Sequence, residues 1–390
     1  MAPQEKMAAP NGIALSWFAA ALAAALFFFR VPDALLHPAF WAEDGTVFFD
    51  EWRKVGLGSF LIPYAGYLHL LPRSIAAFAG LFPLDWTVGI FFWASFAITV
   101  WVSFVIATAI GGVAGVVCSL APILAFGASE VLATPTNLQW ILAIGLFVTA
   151  ISRFSCSAAI LSNRTTLILF ASLSGPFSVF SAPIYLVRLF FAVRAKNKSE
   201  AFIAALSIIL AAVQAIFILT TSPKSAVDAS EFLPEMIDLF TQSLGGSTLA
   251  AILLSFAVVA ILTIGDFRIA RSGLILGAVL VTGFTAYRFT ANPGIFESGI
   301  VGFRYWYIPS ALTICAFGTL LAEKSVSVNF FGVLTLGLLL LQSEPSAWQR
   351  RERAASDNWR SAVQDYYASG SAIYSYPPDW QISLGNDESQ

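Results

Sequence analysis

Long apolar segments alternate with shorter polar segments along almost the whole chain. A helix that crosses a bilayer needs about 20 mostly apolar residues, or somewhat fewer where flanking side chains reach the interface, and on this rule the pattern predicts about 11 transmembrane helices. They are expected at about residues 12–30, 86–109, 113–127, 138–152, 165–175, 177–194, 200–220, 247–264, 272–287, 305–322 and 328–342. The two either side of Gly175-Pro176 are expected to form a short hairpin rather than two independent crossings.

Composition supports this interpretation. The chain has 390 residues, of which 58% are hydrophobic and 11% charged, whereas soluble domains are about 25% charged. We therefore expect an all-α polytopic membrane protein. The net charge is −2 and no basic block is present, so a nucleic-acid partner is not expected. The three cysteines have no spacing typical of a metal site or a disulfide framework.

The polar loops predict the domain organisation and the orientation. We expect a membrane domain over residues 1–342, a long first loop at 31–85 and a short polar tail at 343–390. Basic loops alternate with loops at 31–85, 128–137, 221–246 and 288–304. The positive-inside rule then places the N-terminus in the cytoplasm, with these four loops and the tail outside. The cations of the first loop run against this rule.

The first loop is expected to contain two short helices. The first, at 45–56, would be amphipathic, with Asp44 at or near its N-cap and with Asp50 and Glu51 on its solvated face. The second, at 68–82, would be a surface or re-entrant helix.

Glu43 and Asp44 are the strongest candidates for chemistry. Adjacent carboxylates beside a membrane can act as a general base or hold a divalent cation such as Mg²⁺ or Mn²⁺. The alternative is a helix cap with a solvated acid. Flanking aromatic residues, including Trp41 and Phe48, favour the chemical interpretation, because a carboxylate among aromatic rings tends towards a raised pKa.

Three further groups are candidate binding residues. Tyr64, Tyr67 and His69 can stack on and hydrogen-bond a sugar, although tyrosines also anchor proteins at membrane interfaces. Arginine suits phosphate, and Arg73, Arg288 and Arg304 lie on the expected outer side, with lipid headgroup contact as the alternative. Asn137, Gln139 and Trp140 at the start of a span could cap the helix or bind a hydroxylated ligand. Tyr305 and Tyr307, which follow Arg304, are further candidates for sugar or acceptor binding, with a place at the membrane interface as the alternative.

The chain resembles the GT-C superfamily of integral membrane glycosyltransferases. The resemblance rests on the first span followed by a loop that opens with paired acids, and on these stretches: Trp41-Ala-Glu-Asp-Gly45, Pro63-Tyr-Ala-Gly-Tyr-Leu-His-Leu-Leu-Pro-Arg73, Asn137-Leu-Gln-Trp140, Arg304-Tyr-Trp-Tyr307 and Pro377-Pro-Asp-Trp380. More narrowly, it resembles bacterial membrane proteins of this kind. From the short polar tail we do not expect the large soluble C-terminal domain of the oligosaccharyltransferase-type members.

The resemblance implies a reaction and a location. A sugar on a polyprenyl phosphate would be transferred, with inversion, to a glycan or glycolipid acceptor at the outer face of a bacterial inner membrane. Asp44 would be the general base and Glu43 its partner or a metal ligand, with Arg73 and Arg304 on the donor phosphate. Two alternatives remain open from the sequence: a flippase or transporter of lipid-linked glycan or polysaccharide, and a structural partner of an envelope complex.

Overall fold

The structure is a computed structural model. It describes residues 10–155, 157–221, 257–289, 304–342, 359–370, 373–375 and 380–382, together with single residues at 234, 236, 237, 255 and 302. Most of the predicted loop at 221–246, with its acids Glu231, Glu235 and Asp238, therefore lies outside the described residues. The same holds for the first part of the expected span at 247–264 and for most of the loop at 288–304.

The described chain is helical, apart from loops and one pair of short strands. The longer helices are α1 (Pro10–Arg30), α4 (Leu70–Ala79), α5 (Leu84–Ile110), α6 (Gly112–Ser119), α9 (Leu138–Ile151), α10 (Ala158–Ser172), α11 (Phe177–Arg194), α12 (Lys198–Thr221), α13 (Arg268–Phe289), α14 (Arg304–Gly318), α15 (Val326–Gln342) and α16 (Trp359–Ser369). The shorter ones are α2 (Pro32–Leu36), α3 (Asp50–Val55), α7 (Ala121–Leu124), α8 (Ala128–Val131), a π-helix at Asp44–Phe49 and 3₁₀ turns at Gly56–Leu61, Pro135–Asn137 and Thr319–Ala322.

Six of the described helices are long and apolar enough to cross a membrane. They span Ile13–Arg30, Leu84–Ile110, Phe177–Arg194, Lys198–Thr221, Arg268–Arg288 and Arg304–Ala322. Four shorter apolar helical segments lie at Leu70–Ala79, Gly112–Leu124, Pro135–Ile151 and Val326–Leu340. The chain is thus a multi-pass membrane protein whose apolar helices indicate a lipid bilayer as surroundings. The described residues do not confirm the expected number of about 11 crossings.

Helix α9 lies at the centre of the bundle. It packs against α5, α10, α11, α13 and α14, and every residue from Leu138 to Ala150 is buried. A helix that is apolar all round has no face to present to water, so it is stable only when it is enclosed by other helices or lipid. The residues at its N-terminal end, which follows the Pro135–Asn137 turn, are therefore buried as well.

One end of the bundle is held by ionic contacts. Glu200, which is fully buried, accepts hydrogen bonds from Arg164 at 3.0 Å and from Arg188 at 2.6 Å. At the same end, Arg271 on α13 pairs with Glu323, which follows α14, at 2.9 Å. These residues belong to loops and helix ends that the sequence assigns to a single side of the membrane.

The loops of the opposite end contact one another. Asp44 of the first loop accepts hydrogen bonds from Thr136 in the turn at Pro135–Asn137, and Glu130 pairs with Arg304 at the start of α14. Three of the four loops that the sequence places on one side thus share one end of the molecule, as far as the described residues extend.

The C-terminal tail packs on the first loop at this end. The indole Nε1 of Trp359 donates to the Leu84 carbonyl at 3.1 Å, and its ring meets Phe40 edge-on at 5.1 Å. After α16, strands β1 (Ile373–Ser375) and β2 (Trp380–Ile382) pair antiparallel. The tail therefore adds a small sheet to a fold predicted to be all-helical, and Ile382 of β2 lies against Gly45.

Candidate functional site

Asp44 is buried and is held by the neighbouring loop. Its side chain is 2% exposed. The carboxylate oxygen Oδ1 accepts hydrogen bonds from the backbone N–H of Thr136 at 2.7 Å and from its hydroxyl at 2.6 Å. Asp44 lies at the start of the following helix, as expected, and is the first residue of the π-helix at Asp44–Phe49.

The backbone is strained on both sides of this contact. Ala42 and Ala133 have φ angles of +38° and +63°, in the left-handed region that residues with a Cβ avoid. Each such residue costs about 1–3 kcal/mol and persists only where the surrounding structure fixes it. Tight packing between the first loop and the 128–137 loop therefore holds Glu43-Asp44 and Thr136 in place.

Glu43 projects towards two tyrosines of a tight turn. Tyr64 and Tyr67 pair their backbones at 3.0 and 3.1 Å around Ala65 and Gly66, whose φ angles are +51° and +92°. The Tyr64 hydroxyl donates to Oε1 of Glu43 at 3.2 Å. Burial, helped by the charge of Glu43, raises the pKa of Tyr64, so the phenol keeps its proton and remains a donor.

Tyr67 lies beside Gln139 and Tyr305. Burial raises the pKa of Tyr67 to about 12, and a hydrogen bond with Gln139 opposes part of this shift. Tyr305 in turn meets the Trp140 ring edge-on at 5.5 Å. Residues from the first loop, from α9 and from α14 are thereby brought together, although up to about 240 positions separate them in the sequence.

Arg304 supplies a cation to the same place. Its guanidinium lies 5.4 Å from the centre of the Tyr305 ring and within electrostatic range of the Glu43 carboxylate. Glu130 positions it: one carboxylate oxygen pairs with the Arg304 guanidinium at 3.2 Å, and the other accepts the backbone N–H groups of Gly302 and Arg304. Glu130 thus also stabilises the N-terminus of α14.

We call these residues the Glu43–Arg304 cluster: Glu43, Tyr64, Tyr67, Gln139, Trp140, Arg304 and Tyr305. Three of its buried polar atoms, Oε2 of Glu43, Oε1 of Gln139 and Nε1 of Trp140, have no hydrogen-bond partner among the described residues. A buried polar atom without a partner costs about 1–3 kcal/mol. Two acceptors and one donor left open beside aromatic rings fit a ligand that carries several hydroxyl groups.

Arg73 makes its polar contacts inside the first loop. It is fully buried, pairs with Glu51 at 2.6 Å, donates to the Ile62 carbonyl at 2.7 Å and lies over the Phe48 ring. Its charge is therefore already balanced inside the first loop.

The two acids expected on a solvated helix face differ in exposure. Asp50 is buried and pairs with Lys54 at 2.6 Å, while Glu51 pairs with Arg73 and keeps part of its side chain exposed. The expectation failed for Asp50, and α4, which follows in the sequence, packs against this short helix and supplies the cation that faces Glu51. Helix α4 likewise buries Leu71, Arg73 and Ile75 rather than lying on the surface.

His69 is enclosed between rings. It stacks on Tyr67 at 4.6 Å, contacts Phe48 and Tyr64, and its Nδ1 lies 3.1 Å from the Tyr67 carbonyl. Burial, with a smaller contribution from Arg73, lowers the pKa of His69 to about 3, so the ring is neutral at physiological pH. A neutral imidazole donates from Nδ1 to the carbonyl and fixes the Tyr64–Tyr67 turn.

Three other residues selected from the sequence do not belong to the Glu43–Arg304 cluster. Asn137 donates from Nδ2 to the Glu130 carbonyl at 2.9 Å, which braces the 128–137 loop. The Tyr307 hydroxyl donates to the Pro122 carbonyl at 2.7 Å, deep in the bundle. Arg288 lies in the last turn of α13, and the contacts that define the Glu43–Arg304 cluster do not include it.

Thr136 and Glu130 are the residues that sequence reasoning did not select. Both lie in a loop whose polar residues the sequence does display, between Ala128 and Asn137. Their partners, however, are 92 and 174 positions away, and no local pattern predicts such pairs. Within the described residues, no group of three His, Cys, Asp or Glu side chains is placed to hold a metal ion.

Comparison with protein-family models gives no match for this chain, and comparison with curated proteins gives none either.

Proposed function

We propose that the protein is a membrane glycosyltransferase that moves a sugar from a polyprenyl-phosphate donor to a glycan or glycolipid acceptor. The proposed location is the extracytoplasmic face of a bacterial inner membrane, where the end of the bundle that carries the Glu43–Arg304 cluster would face outwards. The observation that carries the proposal is the set of open polar atoms on Glu43, Gln139 and Trp140, beside aromatic rings and an arginine.

The chemistry of these groups suits each part of such a reaction. Tyrosine and tryptophan rings can pack on a sugar, while the open carboxylate, amide and indole atoms can hydrogen-bond its hydroxyls. A guanidinium stabilises the negative charge that develops on a departing phosphate. Of the three arginines expected from the sequence, we favour Arg304 for this role, because it contacts Tyr305 and lies within electrostatic range of Glu43, whereas Arg73 makes its polar contacts inside the first loop.

In the proposed reaction an acceptor hydroxyl loses its proton to a carboxylate of the Glu43-Asp44 pair. The hydroxyl oxygen forms a bond to the anomeric carbon, and the bond from that carbon to the donor phosphate oxygen breaks. The polyprenyl phosphate leaves with the bonding electrons, and the configuration at the anomeric carbon inverts. The lipid tail of the donor stays in the bilayer between the apolar helices.

The test is transfer by the purified full chain in proteoliposomes. Short-chain polyprenyl-phosphate sugars with a radiolabelled sugar are supplied with a panel of lipid-linked glycans from bacterial membranes, and products are separated by chromatography. We expect a labelled glycosidic product with at least one donor. The double variant that combines Glu43→Gln with Asp44→Asn should lose this product, and Asp365→Asn, which alters an exposed carboxylate of the tail, should retain it. Movement of unaltered labelled lipid across the bilayer, with no new glycosidic bond, would refute the proposal and indicate a flippase.

A further inference from the structure

Glu43 and Asp44, which are neighbours in the sequence, differ in the hydrogen bonds that their carboxylate oxygens accept. We propose that Glu43 is the catalytic base that takes the acceptor proton, and that Asp44, the base expected from the sequence, is a positioning residue. This inference rests on the proposed function and assigns roles within the same site.

Asp44 is committed to the 128–137 loop. Its Oδ1 accepts two hydrogen bonds from Thr136, at 2.6 and 2.7 Å, and the side chain is 2% exposed. Short hydrogen bonds to a carboxylate are among the strongest in proteins. A general base must instead lie within hydrogen-bond reach of the reacting hydroxyl. The geometry gives Asp44 the role of joining two loops.

Glu43 has an oxygen atom left for a ligand. Its Oε1 accepts the Tyr64 hydroxyl at 3.2 Å, which orients the carboxylate, while Oε2 has no partner among the described residues. The other unpaired atoms of the Glu43–Arg304 cluster belong to Gln139 and Trp140, and Arg304 lies within electrostatic range of Glu43. An acceptor hydroxyl that donates to Oε2 of Glu43 would thus meet its base within electrostatic range of a cation that can bind phosphate.

The proton balance follows from this arrangement. The acceptor proton moves to Oε2 of Glu43, the acceptor oxygen bonds to the anomeric carbon, and the sugar–phosphate bond breaks to release polyprenyl phosphate near Arg304. Glu43 returns its proton to water after the product leaves. Throughout the reaction, Tyr64 remains hydrogen-bonded to Oε1, and Thr136 holds Asp44 and therefore the adjoining backbone.

Two matched amide substitutions separate the roles. Glu43→Gln removes the basic oxygen and keeps the shape, and we expect kcat to fall by about 100-fold or more with little change in KM. Asp44→Asn keeps a carbonyl oxygen that can accept both bonds from Thr136, so we expect kcat to stay within about 10-fold of wild type. Asp44→Ala loses both bonds and should be far less active than Asp44→Asn.

Rescue by a small carboxylate provides a second measurement, which remains decisive if an Asp44 variant does not fold. Formate at high concentration should restore part of the transfer activity of Glu43→Ala, because it supplies the missing base. Absence of rescue, or an Asp44→Asn variant that folds and is as inactive as Glu43→Gln, would overturn the assignment. Wild-type protein that transfers no sugar would instead refute the proposed function, so the two failures are distinguishable.

Discussion

Thr136 donates two hydrogen bonds to one carboxylate oxygen of Asp44, which lies 92 positions earlier in the chain. The contact joins the first polar loop to the turn that precedes the central helix α9. Because Glu43 adjoins Asp44 and Gln139 lies one helical turn beyond Thr136, this bond pair sets the distance between the two sides of the Glu43–Arg304 cluster.

Thr136→Val should destabilise the protein, whereas Thr136→Ser should not. Valine has the shape of threonine but no hydroxyl, so the buried carboxylate of Asp44 loses the hydrogen bond from the Thr136 hydroxyl. A hydrogen bond to a charged group contributes about 1.5–3 kcal/mol. Thermal unfolding of detergent-solubilised protein measures the difference. Equal unfolding temperatures for the valine and serine variants would show that the hydroxyl bond contributes nothing.

Arg73→Met should destabilise the first loop, and adding Glu51→Gln should restore part of the loss. Removing one partner of a buried ion pair costs about 3–5 kcal/mol. We expect a smaller loss here, because the Glu51 side chain is 29% exposed and stays in contact with water. A double-mutant cycle on unfolding free energies measures the coupling. A rise in donor KM in Arg73→Met without any loss of stability would favour the phosphate role that the sequence suggested.

Glu200→Gln should be among the most destabilising single substitutions in the described residues. It leaves Arg164 and Arg188, both almost fully buried, without a balancing charge. The expected loss is about 3–5 kcal/mol. The measurement is the amount of folded protein in the membrane and its unfolding temperature. Lys198→Gln, at an exposed position on the same helix, is the matched control and should behave as wild type.

His69 should make stability depend on pH below about 6.5. The folded pKa of about 3 lies below the ordinary value of 6.5, so the unfolded state binds the proton first as the pH falls. The contribution of neutral His69 is complete above pH 6.5, and about 2 kcal/mol of it is lost by pH 5. His69→Gln should show a shallower fall in unfolding temperature between pH 7 and 5. An unchanged slope would contradict the depressed pKa.

The sequence alone indicated a polytopic helical membrane protein and most of its helix positions. The reason is that bilayer crossing depends on the local density of apolar side chains, which any window of residues displays. The predicted positions of α1, α5, α9, α11 and α12 agree with the structure to within a few residues. The span at 113–127 instead contains two helices, α6 and α7, with Pro122 in the first turn of the second. Glu43, Tyr64 and Arg304 were likewise selected from local composition.

Tertiary structure alone decided which of the selected residues meet. Arg73 pairs with Glu51, and the Tyr307 hydroxyl donates to the Pro122 carbonyl, while Arg304 lies within electrostatic range of Glu43. The sequence does not distinguish one side chain from another of the same type. Buried polar groups are mostly hydrogen-bonded, and the partner of each depends on packing between distant segments. The same packing places Thr136 where it donates to Asp44, and it leaves Oε2 of Glu43 without a hydrogen-bond partner among the described residues. Sequence therefore determined where the polar groups are, and packing determined which of them remain available for chemistry.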